Sequence, residues 1–472
     1  MTKRKTNKIG KPISIILFIL SIMLVGLVYY CNMIPLKYIL PVSILFILYI
    51  FIIFCLIRKR KLRKKAFILA IITIIIEIII NYYLLVTIGF LNGIIAYDYK
   101  THIYNVIVLK DSEYDNLKDL KNKDIGVYKE ENKESKKALK QLDNKISFHK
   151  KENDDIEEMF DLLMSKELDA IFLEDSKYNI IIEEDPNIIE TTKIIDTITV
   201  RSKLEANKND KVNVLKEPFN IYITGNDQYG KITNTGRSDV NMVATVNVKE
   251  GKVLFTSIPR DYYVDLAGKN AKDKLTHAGI YGVDSSIKTI EELLDTKINY
   301  YLKINFSSVE EIVDILGGIE VDSELDFVSV EGYHFKKGLN KLDGKKALAF
   351  VRERYAFNGM GGDRIRGEHQ IQVIRKLVDK ATNPKILAKY QSVLKSVENN
   401  FTTDFSEKNI SKIVKNQLNK KTKWQIESYN LEGTDGRELT YSYPSKSLYV
   451  MIPDEDSVKE AQNKIKEFLN EK

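Results

Sequence analysis

Across the first hundred positions the apolar residues follow no helical or strand period; they gather in three long runs. Residues 12–30 and 38–57 contain no charged side chain, and each is about long enough to cross a ~30 Å hydrocarbon core as a helix. A third run, Ala66 to Tyr97, exceeds one crossing and carries the single charge Glu77, so it is expected to span and then protrude. Periodicity appears after that. Tyr104–Leu109, Asp124–Val127 and Ala170–Leu173 predict short buried strands, with helices over Lys133–Leu142 and Ile156–Lys166 between them. That βαβ rhythm predicts a small module with a parallel sheet. After a polar linker at Asn207–Lys216, strands are predicted at Phe219–Thr224, Met242–Val248 and Val253–Ile258, the last two joined by a turn at Glu250 and Gly251. Gly317 and Gly318 predict a helix end followed by a strand. Ile371, Ile374 and Leu377 recur at helical spacing, and Ser457–Leu469 predicts a late helix. The expected plan is a membrane anchor over residues 1–98, an α/β module over 99–211 and a larger domain over 212–472, with its motif-bearing core at 219–383. The fold class is α/β, of the α+β kind.

Charge gives the plan an orientation. Lys3, Arg4, Lys5, Lys8 and Lys11 precede the first apolar run, and Arg58, Lys59, Arg60, Lys61, Arg63, Lys64 and Lys65 separate the second from the third. The loop between the first two runs offers only Lys37. Under the positive-inside rule both basic stretches face the cytoplasm, which delivers everything after about residue 98 to the outer face of the cell membrane. A cleaved signal peptide is excluded, because a second and a third run follow with no small-residue cleavage site. These twelve flanking cations exceed the formal net charge of +7, so the remainder of the chain is slightly acidic and gives no reason to expect nucleic acid. Cys31 and Cys55 both lie in the anchor, leaving the exported part without disulfides, as suits a Gram-positive-like envelope. Glu77 within an apolar run is either a functional group or a partner inside the helix bundle.

The chemistry-bearing residues gather after Phe219. Asp227 and Asp239 flank predicted strand ends, Arg237 stands beside Asp239, and Arg260 and Asp261 follow the strand that ends at Ile258. If these strands are neighbours, Asp227, Arg237, Asp239 and Arg260 converge at one sheet edge. Further on, the stretch Ala349–Arg354 would place Arg352 and Arg354 on one face if extended. Asp363, Arg364, Arg366 and Gln370 come just before the amphipathic helix. Mixed arginines and aspartates are usually surface ion pairs. Together, however, planar guanidinium forks suit phosphate oxygens, and nearby carboxylates supply the hard ligands that Mg²⁺ takes when phosphates complete its shell. The five histidines show no metal-ligand spacing, and no P-loop, GxSxG elbow or kinase set is present. Of the five, His277 lies nearest these residues and is expected to be packed or hydrogen-bonded.

Five blocks, in order, resemble the LytR-CpsA-Psr family of envelope glycopolymer transferases. They are GRSDVNM at Gly236–Met242, SIPRDYYV at Ser257–Val264, DKLTHAG at Asp273–Gly279, VDILGGIEVD at Val313–Asp322, and LDGKKALAFVRER with GDRIRGEHQ at Leu342–Arg354 and Gly362–Gln370. The three-helix anchor and intervening module are similar to its CpsA-like branch, associated with capsule attachment. The resemblance implies a central mixed sheet flanked by helices, with a prenyl tail in an apolar tunnel between them. It implies pyrophosphate held by Arg237, Arg260, Arg352, Arg354 and Arg366, and Mg²⁺, or Mn²⁺ in its place, held by Asp227 and Asp239. Asp261, Lys274, Asp363 and Gln370 are the expected supporting contacts to substrate. The implied reaction moves a glycosyl phosphate, from a capsular or teichoic-acid-like polymer, from polyprenyl pyrophosphate to a peptidoglycan hydroxyl. Two alternatives share these ligands: a non-catalytic regulator or prenyl-pyrophosphate-binding protein, and a pyrophosphatase. In the module, LKDLKNKDIGV at Leu117–Val127 and LDAIFLE at Leu168–Glu174 resemble one lobe of type II periplasmic solute-binding proteins. The segment is too short for both lobes, which favours a role in protein contacts or in positioning the next domain.

Overall fold

The computed structural model describes residues 5–59, 61–94, 99–129, 132–204, 212–226, 232, 234–305, 307–353, 362–381, 392, 395–396, 401–420 and 422–470. Three helices open the chain: α1 (Lys5–Cys31), α2 (Leu36–Arg58) and α3 (Arg63–Ile94). Each contains a stretch long and apolar enough to cross a membrane, at Pro12–Cys31, Leu36–Arg58 and Arg63–Leu91. At 32 residues α3 is about 48 Å long, more than one crossing requires. Glu77 is buried between helices, where its carboxylate accepts a hydrogen bond from Ser21 Oγ of α1 at 2.6 Å. Of the two readings open for Glu77, this is the intrabundle partner.

The module that follows comprises β1 (Tyr99–Leu109), β2 (Asp124–Tyr128), α4 (Lys133–Lys145), β3 (His149–Asn153), α5 (Ile156–Met164), β4 (Ala170–Glu174), α6 (Asp175–Glu184), α7 (Asn187–Thr191) and β5 (Thr192–Lys203). Its sheet runs in the order β3-β2-β4-β1-β5. The predicted parallel pairing holds for β2 with β3 and with β4, but β1 lies antiparallel to both β4 and β5. Helical crossovers explain the split: α4 and α5 link β2, β3 and β4, whereas a single 3₁₀ turn at Leu117–Leu120 separates β1 from β2. The module does not stand apart from the rest of the chain. Ile280, Tyr443 and Leu448 are buried in the same cluster as Ile107, Phe160 and Ile171.

The larger domain begins with β6 (Phe219–Asn226), β7 (Val240–Asn247), β8 (Lys252–Ile258), β9 (Tyr263–Asp265), β10 (Lys272–Lys274), α8 (Leu275–Ala278) and α9 (Val283–Leu294). It continues through β11 (Tyr300–Asn305), α10 (Ser307–Ile315), β12 (Ile319–Ser323), β13 (Phe327–Val328), β14 (His334–Phe335), β15 (Gly338–Leu342), α11 (Gly344–Arg352) and α12 (Gly362–Ala381). Then come β16 (Phe401–Thr403), the helix Glu407–Lys420, β17 (Gln425–Asn430), the hairpin β18 (Gly433–Thr440) and β19 (Tyr443–Pro453), and the helix Glu455–Leu469. The central sheet has the order β16-β11-β6-β7-β8-β17, with β11 parallel to β6 and β17 parallel to β8 amid antiparallel pairs. It is a mixed sheet between helical layers, as expected.

The strands alternate strictly. Tyr222, Val243 and Leu254 face Ile287, Ile290, Val458 and Ile465 of α9 and the C-terminal helix. Their neighbours Ile223, Met242 and Ala244 face the other way, toward Ile371 of α12. Gly317 and Gly318 end α10 in the left-handed region, with φ of 77° and 83°, and the chain turns directly into β12, which is the helix end read from the sequence.

Two local expectations are corrected. Ala349–Arg352 belongs to a helix rather than an extended segment. Asp343 caps α11 by accepting from Lys346 N at 2.9 Å, and Ala347, Phe350 and Val351 are buried in one cluster with Val313 and Val321. Helical geometry removes the argument that put Arg352 and Arg354 on one face, and Arg354 lies outside the described residues. Likewise Asp363, Arg366 and Gln370 do not precede the amphipathic helix but form part of α12, with Arg366 and Gln370 one turn apart.

Candidate active site

The β7–β8 register builds the site. Asn241 pairs with Ile258, so Asp239 and Arg260, each two residues beyond that pair, meet at the same sheet edge. Three loops are then laced together by backbone bonds. Ser238 N donates to Thr276 O, Thr276 N to Arg260 O, and Leu275 N to Tyr262 O, each at 2.8 Å, while Asp239 N donates to Gly225 O at 2.8 Å. Gly279 permits this closeness. A Cβ there would lie 2.4 Å from Ser238 Oγ and 2.5 Å from Gly236 O, so no side chain fits without displacing the loop that carries Arg237 and Asp239. The block around Thr276 and Gly279 is thus the floor on which the block around Arg237 rests.

Asp239 is the electrostatic centre. Its Oδ1 accepts from Arg260 Nη1 at 2.6 Å, and its backbone carbonyl accepts from Arg366 Nη2 at 3.5 Å. Burial alone would push its carboxyl up, but the charges of Arg237, Arg260 and Arg366 override this and hold it well below the usual carboxylate range. Arg260 also meets Asp261 Oδ2 through Nε at 3.5 Å, and Lys274 Nζ lies 3.7 Å from the other oxygen of Asp261. Burial pushes the Lys274 amine down, with Asp261 opposing. All of these groups except Arg237, which is half-buried, are under 10% exposed, so their charges act with little screening by water.

Of the residues expected at the site, the structure brings Arg237, Asp239, Arg260, Asp261, Lys274 and Arg366 into one cluster. Gln370 lines a narrow cleft with Asp239, Ser257, Pro259 and Arg366, and its Nε2 donates to Val351 O at 3.4 Å, tying α12 to the end of α11. Arg352 is the last residue of α11, half-buried, one position beyond that carbonyl. Asp227 and Arg354 lie outside the described residues, as does the side chain of Asp363. His277 is packed as expected, with Nδ1 at 2.6 Å from Asp273 Oδ1. Among the described residues no group of three or more His, Cys, Asp or Glu is placed to hold a metal.

One member of the cluster escaped the sequence reading. Glu183 of α6, in the module, reaches across with both oxygens, Oε1 accepting a hydrogen bond from Arg260 Nη2 at 2.7 Å and Oε2 forming an ion pair with Arg237 Nη1. No local motif marks Glu183, because its partners come from residues more than fifty positions away.

The LytR_cpsA_psr family model matches residues 190–467. The chain is 34% identical over 283 residues to the polyisoprenyl-teichoic acid–peptidoglycan teichoic acid transferase TagU of Enterococcus faecalis, covering 59% of this chain and 88% of that one. It is also 34% identical to the Bacillus subtilis protein of the same name over 255 residues, covering 54% of this chain and 79% of that one. Among solved structures, B. subtilis TagV is 28% identical with a TM-score of 0.45, over 54% of this chain and 99% of that one. By the extent of the family match and by its identity to the two TagU proteins, the chain belongs to the LytR_cpsA_psr family.

Proposed function

We propose that the protein transfers a glycosyl phosphate from a polyprenyl pyrophosphate carrier to a hydroxyl of peptidoglycan at the outer face of the cell membrane. The observation that carries this is the buried cluster of Arg237, Arg260 and Arg366 around an ionised Asp239, in a chain with three helices apolar enough to span a bilayer. In the step proposed, the acceptor oxygen forms a bond to the phosphorus nearer the sugar, the bond from that phosphorus to the bridging oxygen breaks, and prenyl phosphate leaves. The hydroxyl proton passes to solvent or to a base. Negative charge accumulates on the leaving phosphate, and fixed guanidinium groups stabilise it without reorganising. The half-buried Ile221, Val253, Phe255 and Leu302, beside Ile223 and Met242 on the sheet face that carries α12, offer an apolar floor for the prenyl chain. The names of the relatives, which describe polyisoprenyl-linked teichoic acid and peptidoglycan, support the same donor and acceptor classes for this chain.

Mg²⁺ is part of the proposal. Asp239 is a hard oxygen donor held in its charged form, which fits one ligand position, and Asp227 is its expected companion. With no larger group of protein ligands among the described residues, most of the shell would come from the substrate's phosphates. Bound there, the cation would neutralise charge on the pyrophosphate.

The proposed orientation puts the N-terminus and the basic stretch Arg58–Lys65 in the cytoplasm. In support, Ser411 Oγ of the helix Glu407–Lys420 donates to Cys31 O at 3.2 Å, which sets the α1–α2 loop on the same side as the large domain. Protease added to intact, wall-stripped cells should cleave residues after 98, and protection of that region would overturn the orientation.

The function is tested with the full chain in lipid nanodiscs, supplied with prenyl-pyrophosphate oligosaccharide, Mg²⁺ and peptidoglycan. Linked product and free prenyl phosphate are expected, and Arg260→Ala should lower the rate by about a hundredfold or more. Unchanged turnover in Arg260→Ala would remove the cluster from the chemistry, and release of glycosyl phosphate into water without linkage would identify a pyrophosphatase.

A further inference from the structure

Glu183 is the penultimate residue of α6, and the family match begins seven residues after it, at 190. It therefore belongs to what this chain adds to the family's domain. Its carboxylate spans two guanidinium groups with one oxygen on each, as a phosphate would. The side chain is 35% exposed, whereas that of Asp239 is 10% exposed. The two anions differ accordingly. Asp239 is built into the floor of the site, and Glu183 approaches from its open side. Four cations (Arg237, Arg260, Arg366 and Lys274) face Asp239, Asp261 and Glu183, with Glu184 also acting on Lys274, so an incoming anion meets little uncompensated charge until Glu183 withdraws.

The module that carries Glu183 is held to the large domain away from the arginines. Lys100 Nζ pairs with Asp284 at 3.0 Å, Ser445 Oγ donates to Asp155 Oδ1 at 2.8 Å, and Tyr443 donates to Glu157. These contacts engage β1 and α5, and Ile180 and Ile181 of α6 are buried in the cluster shared with the large domain, which leaves only the last turn of α6, with Glu183, to shift without undocking the module.

We propose that Glu183 is an internal competitor for the pyrophosphate site: it holds Arg237 and Arg260 in the ligand-free protein, and the diphosphate of the carrier binds by displacing it. The proposal rests on the reading of these arginines as pyrophosphate ligands. An ion pair this accessible is readily exchanged, and its release sets the affinity for the incoming anion. The α/β module thereby becomes a gate on the donor site, able to transmit to that site anything that shifts α6.

The test uses the full chain in detergent micelles with geranylgeranyl pyrophosphate as the probe, comparing the unaltered protein with Glu183→Gln and Arg260→Ala. Glutamine keeps the length of the side chain and the helix while removing the competing charge, so Glu183→Gln should bind about tenfold more tightly. A merely electrostatic neighbour would also tighten binding, so amide exchange is read alongside. Probe should speed exchange at the end of α6 in the unaltered protein and leave it unchanged in Glu183→Gln, where that end is already released. Unchanged or weaker binding in Glu183→Gln, with the unaltered protein binding normally, overturns the proposal, as does protection of α6 on binding. Failure of both proteins to bind, or binding equal to that of Arg260→Ala, overturns the pyrophosphate reading itself.

Discussion

Gly279 shows how much of the site depends on a missing side chain. Adding one methyl at this position forces apart two loops that now touch through Ser238 and Gly236, an overpacking worth about 1–3 kcal/mol. Because the displaced loop carries Arg237 and Asp239, Gly279→Ala should lose transfer activity to a far greater degree than it loses thermal stability. Equal losses in the two measurements would mean that the contact serves folding alone. His369 offers a pH handle nearby. It stacks on Phe350 with centroids 3.7 Å apart, its Nδ1 lies 3.0 Å from Phe350 O, and burial pushes its pKa down to about 4. The unfolded chain, with an ordinary value near 6.5, binds the proton more readily, so this group contributes stability above pH 6.5 that is lost as pH falls toward 4. His369→Asn should flatten the dependence of the melting temperature on pH in that window, and an unaltered slope would assign it to other groups. At this scale the sequence was most legible where function and turns coincide. Arg237, Asp239 and Arg260 sit within a few residues of strand ends, so adjacency of strands sufficed to bring them together. Glu183 was invisible, because a lone glutamate near a helix end has the same local signature whether it meets water or two arginines.

Elements were legible in proportion to the clarity of their period. The strands from Phe219 to Ile258 were read from their apolar runs to within two residues of their bounds, and the mixed sheet was what the family resemblance implied. Ala347–Val351 was harder to read because five consecutive small or apolar residues fit a buried strand and a buried helix equally. The decision came from Asp343, whose side chain caps the first turn, and from burial on every face of α11. Asp343→Ala should therefore destabilise the protein by about 1 kcal/mol, and should weaken pyrophosphate binding through Arg352 and Gln370, which α11 positions. A melting curve paired with a binding titration checks both, and a stability loss with unaltered binding would detach α11 from the site. The module was misjudged for a different reason. Helices between strands imply parallel neighbours only where a single crossover joins those neighbours, and β1 pairs instead with β4 and β5, which are separated from it in the chain by further strands as well as helices.

At the scale of the whole molecule, anchor and site act together. Under the proposed function a prenyl carrier would share one bilayer with the three apolar helices, which would turn a search in volume into a search on a surface. In vesicles, the transfer rate should follow the mole fraction of carrier in the membrane and stay constant when the same vesicles are diluted in buffer. A rate falling in proportion to bulk dilution would show that the carrier is taken from solution. The contact between Ser411 and Cys31, the last residue of α1, gives this confinement a further property. A domain docked on its own anchor is not a float on a cord. In the proposed orientation the arginine cluster would keep a set elevation and bearing over the lipid surface and would not lean out to search the wall. The long partner would then make the journey: a glycan strand would sag or be freshly laid within range of the site, which would favour wall still under construction at the membrane over mature wall further out.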